Sequence, residues 1–143
     1  MKKNKRAKKL LMIGLDGFMM ELIKKFVAEG VMPNMAKLMK EGSYSKALPS
    51  MPVDTPTNWT TIATGADTAI HGKTSFFVHL PGRSLDDFTF EESWLSNLCM
   101  AETLWDAAER QGKDVIVINY PVAWPPTLEK GIVVGGRGIF GEP

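Results

Sequence analysis

Cysteine is nearly missing from this sequence, and histidine is scarce. A single thiol, Cys99, excludes an internal disulfide framework and any zinc site built from several cysteines. Its neighbours Trp94, Leu95, Leu98 and Met100 are apolar, which reads as a buried structural thiol rather than a nucleophile. The two histidines, His71 and His79, have no partner at metal-ligand spacing. His71-Gly72 reads as a structural histidine holding a loop, and His79 falls in a strand-like stretch. Long apolar runs are also lacking. None approaches the roughly 18 residues of a membrane helix. Leu10 to Leu15 is interrupted by Asp16 before it reaches the ~7–15 residues of a signal-peptide core, and no small-residue cleavage site follows. These absences point to a cytoplasmic protein with no membrane span.

Charge is balanced only on average. Seventeen basic residues face 16 acidic ones, but Lys2, Lys3, Lys5, Arg6, Lys8 and Lys9 supply six of the basic set. The remaining 11 basic against 16 acidic residues leave the body at −5. Residues 1–8 therefore read as a basic, solvated and disordered leader on a mildly acidic body, and no nucleic-acid partner is expected. A chain of 143 residues suits one core and not comfortably two domains.

Lys9–Leu15 is a short apolar run ended by Asp-Gly and predicts a first strand. Phe18–Glu29 has helical spacing through Met19, Leu22, Ile23, Phe26 and Val27, with Gly30 as its stop. A second helix is predicted from Pro33 to Lys40, and a short strand over Ser43–Ala47. Three prolines make residues 48–57 an irregular loop. Asn58–Thr64 resumes as helix, Thr74–Leu80 as strand, and 83–100 as an insertion with partial helix. Glu102–Arg110 reads as an amphipathic helix, Asp114–Asn119 and Gly131–Val134 as strands, and Tyr120–Pro126 as a loop. This alternation predicts an α/β fold with a parallel or mixed sheet. Runs such as VIVI and IVV belong to strands buried on both faces. A sheet of only four or five strands would keep an open edge, which suggests a piece of something larger.

Two segments carry chemistry. Asp16 ends an apolar strand at a Gly-flanked turn, where α/β folds place ligand and metal sites. Thr55 lies at a loop-to-helix junction, where amides and the helix dipole stabilise an anion. Both also have capping explanations, as do Thr57 and Asn58. Gly136-x-Gly138-x-x-Gly141 matches a dinucleotide fingerprint by letter, but the helix and the acidic residue that the fingerprint needs do not follow.

The ordered blocks LLMIGLDG, MPNMAKLMKEGS and PSMPVDTPTNWTTIATGADTAIHG resemble the alkaline phosphatase superfamily, and within it the type I phosphodiesterase / nucleotide pyrophosphatase family. ETLWDAAERQGKDVIVINYPVAWPP and GIVVGG agree with its prokaryotic members. The resemblance implies an alkaline-phosphatase-like sandwich, a mostly parallel sheet covered by helices, incomplete in this chain. Residues 9–143 would be the N-terminal portion of the catalytic domain. The resemblance also implies a small phosphorylated substrate and two divalent metal ions, usually zinc, with manganese or iron as alternatives. Thr55 matches the nucleophile and a metal contact, and Asp16 the first metal-ligating aspartate. Asn58 is expected as a substrate contact. The other ligands, two aspartates and three histidines, lie beyond the matching blocks. The loops at 83–100 and 120–130, with Tyr120, Trp124 and Arg137, are expected to shape the pocket. The alternative expectation is a truncated, inactive chain or a phosphate-binding module.

Overall fold

The computed structural model describes residues 9–89 and 92–135. Its elements are α1 (Met20–Ala28), α2 (Pro33–Glu41), α3 (Thr55–Thr64), α4 (Thr68–His71), β1 (Val78–His79), β2 (Phe88–Thr89), α5 (Leu104–Arg110), β3 (Ile116–Ile118) and β4 (Ile132–Val134). Two 3-10 turns, Glu92–Trp94 and Ser96–Leu98, lie between β2 and α5. The chain divides into two compact units, Met1–Ala47 and Leu48–Pro143. The basic leader and the glycine fingerprint at 136–141 lie outside the described residues, as does Arg137.

In the first unit, α1 and α2 form close to where apolar periodicity predicts. Proline at the start of α2 costs nothing there, because the first-turn amides have no intrahelical acceptor. The predicted strand over Lys9–Leu15 does not form. These residues are irregular, and Leu11 is 82% exposed. Ser43–Ala47 is likewise irregular rather than a strand. An apolar run becomes a strand only when another strand takes its backbone hydrogen bonds, and no strand pairs with either stretch among the described residues.

The second unit holds a small core. Ala63 of α3, Trp105 of α5, Val117 of β3 and Ala123 pack together, with Val115, Tyr120, Leu128 and Val133 against them. Tyr120 sits edge-on to Trp59 at 5.1 Å and to Trp105 at 5.0 Å, an arrangement that aligns ring edges with ring faces. β3 and β4 are parallel, in register Ile116↔Ile132, Val117↔Val133 and Ile118↔Val134. The expectation of strands buried on both faces fails here. Val117 is buried, but Ile116 and Ile118 are each 65% exposed. β1 and β2 pair antiparallel as a hairpin, so the strand predicted over Thr74–Leu80 shortens to two residues.

Thr103 caps α5 by accepting from the Asp106 N–H. Glu109, on the same helix, docks the approach to β4. Its carboxylate accepts from the backbone N–H groups of Glu129 (2.9 Å), Lys130 (2.8 Å) and Gly131 (2.7 Å). These bonds, led by the one from Glu129, hold its pKa below the ordinary carboxylate range. A depressed folded-state pKa gives stability that is present above the unfolded value and lost as pH falls through the folded one. Glu109→Gln is expected to lower the urea midpoint at pH 7. The gap between variant and wild type should close as the wild type is titrated below about pH 4.

Thr57, on the inward side of α3, carries the one buried side-chain oxygen without a hydrogen-bond partner among the described residues. A buried hydroxyl in that state costs about 1–3 kcal/mol. Thr57→Val keeps the side-chain shape and removes the hydroxyl, so it is expected to raise stability by about 1 kcal/mol in chemical denaturation. A loss of stability would show that the hydroxyl has a partner.

Candidate active site

Thr55 is the first residue of α3, three residues earlier than the predicted helix start. Pro56 takes the second helical position, where its missing N–H breaks no intrahelical bond. Asp54 is the N-cap in extended geometry, and its side chain makes no capping bond. The amides of the first turn, which have no intrahelical acceptors, are thus left without a side-chain cap beside the Thr55 hydroxyl. Thr55 itself is half-buried.

Asn58 fixes the loop that leads to Thr55. Its Oδ1 accepts from the Ser50 N–H (2.8 Å), and its Nδ2 donates to the carbonyls of Ser50 (3.3 Å) and Asp54 (3.0 Å). The Thr68 hydroxyl adds a bond to the Met51 carbonyl (3.1 Å). Asn58, expected as a substrate contact, therefore has its amide turned onto its own loop. Its visible work is to hold residues 50–54 against the start of α3.

The far end of α3 closes at Gly65, whose φ of +67° suits the left-handed C-cap. The short helix α4, capped by Asp67, ends on His71. The histidine is fully buried. Its Nδ1 accepts from the Lys73 N–H at 3.0 Å, and a backbone amide can only donate. The ring proton must then sit on Nε2, which donates to the Thr61 hydroxyl at 2.9 Å. Burial holds the imidazole pKa below its ordinary value; Asp67 opposes this and Lys73 adds to it. The ring is neutral at pH 7 with both nitrogens committed, in line with the expected loop-holding role. His79 is also occupied, with Nε2 on the carbonyls of Arg83 (3.1 Å) and Ser84 (2.9 Å).

Asp16 is exposed, in a turn with Gly17, and belongs to the first unit. Among the described residues no group of three or more His, Cys, Asp or Glu side chains is arranged to hold a metal ion. The donors among the described residues do not complete a metal site. Of the expected pocket residues, Tyr120 turns inward and donates its hydroxyl to the Trp59 carbonyl at 2.9 Å, and burial pushes the phenol pKa up. Trp124 is 41% exposed. Val122 is buried at φ +62°, a strained setting for a β-branched residue that costs on the order of 1–3 kcal/mol.

Sequence reasoning missed Thr61 and Lys73. A lysine between Gly72 and Thr74 carries no signal of burial, because lysine is almost never fully buried. Thr61 is one of several threonines in the segment, and nothing in their spacing singles out the one that meets His71.

Among the described residues, no helix is long and apolar enough to cross a membrane. No curated protein matches the chain, and no solved structure does. The family model described as type I phosphodiesterase / nucleotide pyrophosphatase matches residues 10–133, from the apolar run before Asp16 to the middle of β4. The match takes in Thr55, the turn at His71 and the strand pair, and the chain belongs to this family of generally metal-dependent hydrolases.

Proposed function

We propose that the chain is the N-terminal part of a phosphodiesterase in which Thr55 is the nucleophile. The carrying observation is the position of Thr55 at the first residue of α3, beside amides left without a side-chain cap. The Thr55 oxygen bonds to phosphorus as the ester bond to the leaving group breaks. The hydroxyl proton passes to solvent, and the departing alkoxide takes a proton from water. Water then attacks the phospho-threonine, restoring the hydroxyl and releasing a phosphate monoester. The helix amides face the charge that develops on the phosphoryl oxygens.

Two metal ions, zinc or another divalent cation, belong to this reading through the family. Asp16 and Thr55 are the contacts this chain would give them, and the other ligands come from further chain. An acidic body also repels a phosphate unless cations intervene. We infer a small phosphorylated substrate and, from the single thiol, a cytoplasmic setting. The uncovered faces of β3 and β4 support further chain packing on them, within an alkaline-phosphatase-like sandwich.

A second reading, an inactive chain, draws on the lack of a metal-ligating group among the described residues. Metal-loaded protein of these 143 residues, assayed with bis(4-nitrophenyl) phosphate, is expected to show no turnover, while a longer form carrying the missing ligands should hydrolyse it. In that longer form Thr55→Ala is expected to reduce hydrolysis to the uncatalysed background, and Thr55→Ser to keep part of it. Retained turnover in Thr55→Ala would remove the assignment.

A further inference from the structure

Lys73 is only 3% exposed, and neither ion pair among the described residues includes it. Its ammonium donates to the carbonyls of Ser93 (2.8 Å) and Leu95 (2.6 Å), which flank the buried Trp94. Burial pushes its pKa down to about 8, against a smaller upward pull from Cys99. A buried cation without a carboxylate is expensive to keep. Two carbonyls alone do not explain it, since water or an amide side chain would satisfy them at less cost.

The bonds around Lys73 close a ring that begins and ends on α3. The Thr61 hydroxyl accepts from His71, whose other nitrogen takes the Lys73 amide. The Lys73 side chain reaches 93–95. The Ser96 N–H donates to the Trp124 carbonyl (2.8 Å), and the Ser96 hydroxyl bonds the Pro125 carbonyl. The Ala123 N–H donates to the Tyr120 carbonyl (3.2 Å), and the Tyr120 hydroxyl returns to the Trp59 carbonyl. The turn at 71–73 is held from outside as well. The Met100 N–H donates to the His71 carbonyl (3.1 Å), and a Cβ on Gly72, at φ +76°, would meet the Met100 methyl at 2.6 Å.

The two grips on α3, at Trp59 and Thr61, are two residues apart. At about 100° per residue they lie on nearly opposite sides of the helix, so together they resist rotation about its axis. A rotation of roughly 30° would carry a Cα at ~2.3 Å radius through about 1.2 Å, and the Thr55 hydroxyl further. Displacement of a reacting group by about 1 Å can cost on the order of a hundredfold in rate.

We propose that His71 and Lys73 are positioning residues, which set the rotation of α3 and so aim the Thr55 hydroxyl without touching substrate. The proposal rests on Thr55 as nucleophile. The test uses the catalytically complete, metal-loaded enzyme with bis(4-nitrophenyl) phosphate. Lys73→Met and His71→Leu are each expected to lower kcat by about a hundredfold and leave KM within about threefold. His71→Gln, whose amide can still donate to Thr61, should recover at least about tenfold of that loss. Tyr120→Phe removes only the opposite grip and should lower kcat by about tenfold, which keeps the test open where Lys73→Met does not fold. Wild-type kcat in all of these variants, or a change confined to KM, would overturn the proposal. If the wild-type enzyme hydrolyses nothing, the nucleophile assignment fails separately. The ring is then read by hydrogen exchange at the Ser96 and Met100 amides in Tyr120→Phe and Lys73→Met. Exchange at least about tenfold faster in Lys73→Met supports the ring, and unchanged exchange there refutes it.

Discussion

The buried imidazole of His71 is the constraint on which the second unit turns. A neutral ring inside a protein needs one donor and one acceptor placed on opposite nitrogens, and here both come from the chain itself. One bond fixes the tautomer and the other reaches α3. Had Nδ1 carried the proton, two donors would face each other at the Lys73 amide, whereas the Thr61 hydroxyl can serve either tautomer. The turn at residues 71–73 therefore has one workable geometry, and the segment from Ser93 to Ser96 inherits it through the Lys73 side chain. α3 is held in turn by its neighbours rather than by its own propensity, which is modest for a helix of five threonines and a tryptophan.

Helices were legible in this sequence because their signals are local. Apolar spacing, Pro33 and Gly65 all act within a turn or two of the residues that they organise. The start of α3 was misplaced for a related reason. Pro56 reads as a breaker until its position inside the first turn is known. Strands were less legible, because an apolar run says only that it wants cover. Asp114–Asn119 and Gly131–Val134 found each other, whereas Leu10–Leu15 pairs with no strand among the described residues. The site followed the same division. Thr55 and Asp16 stand out through motif order. Lys73 and Thr61 matter only through contacts with residues 20 or so and 10 positions away, which no local pattern encodes.

Electrostatics separates the two kinds of charge in the molecule. The surface pairs Arg110–Glu102 and Arg83–Asp87 are exposed, screened by water and salt, and add little. Lys73 is the opposite case, a charge kept among carbonyl dipoles.

The connection between β3 and β4 carries a consequence for how the chain assembles. Parallel strands are usually joined through a helix, but residues 119–131 cross over as loop, stitched to α5 by Thr127 and by the amides that Glu109 gathers. Three residue pairs of parallel sheet cannot offset the loss of chain freedom that closing such a loop requires. The strand pair therefore leans on α5: the bonds to Asp106 and Glu109 restrain residues 127–131 and so fix the register in which β4 meets β3.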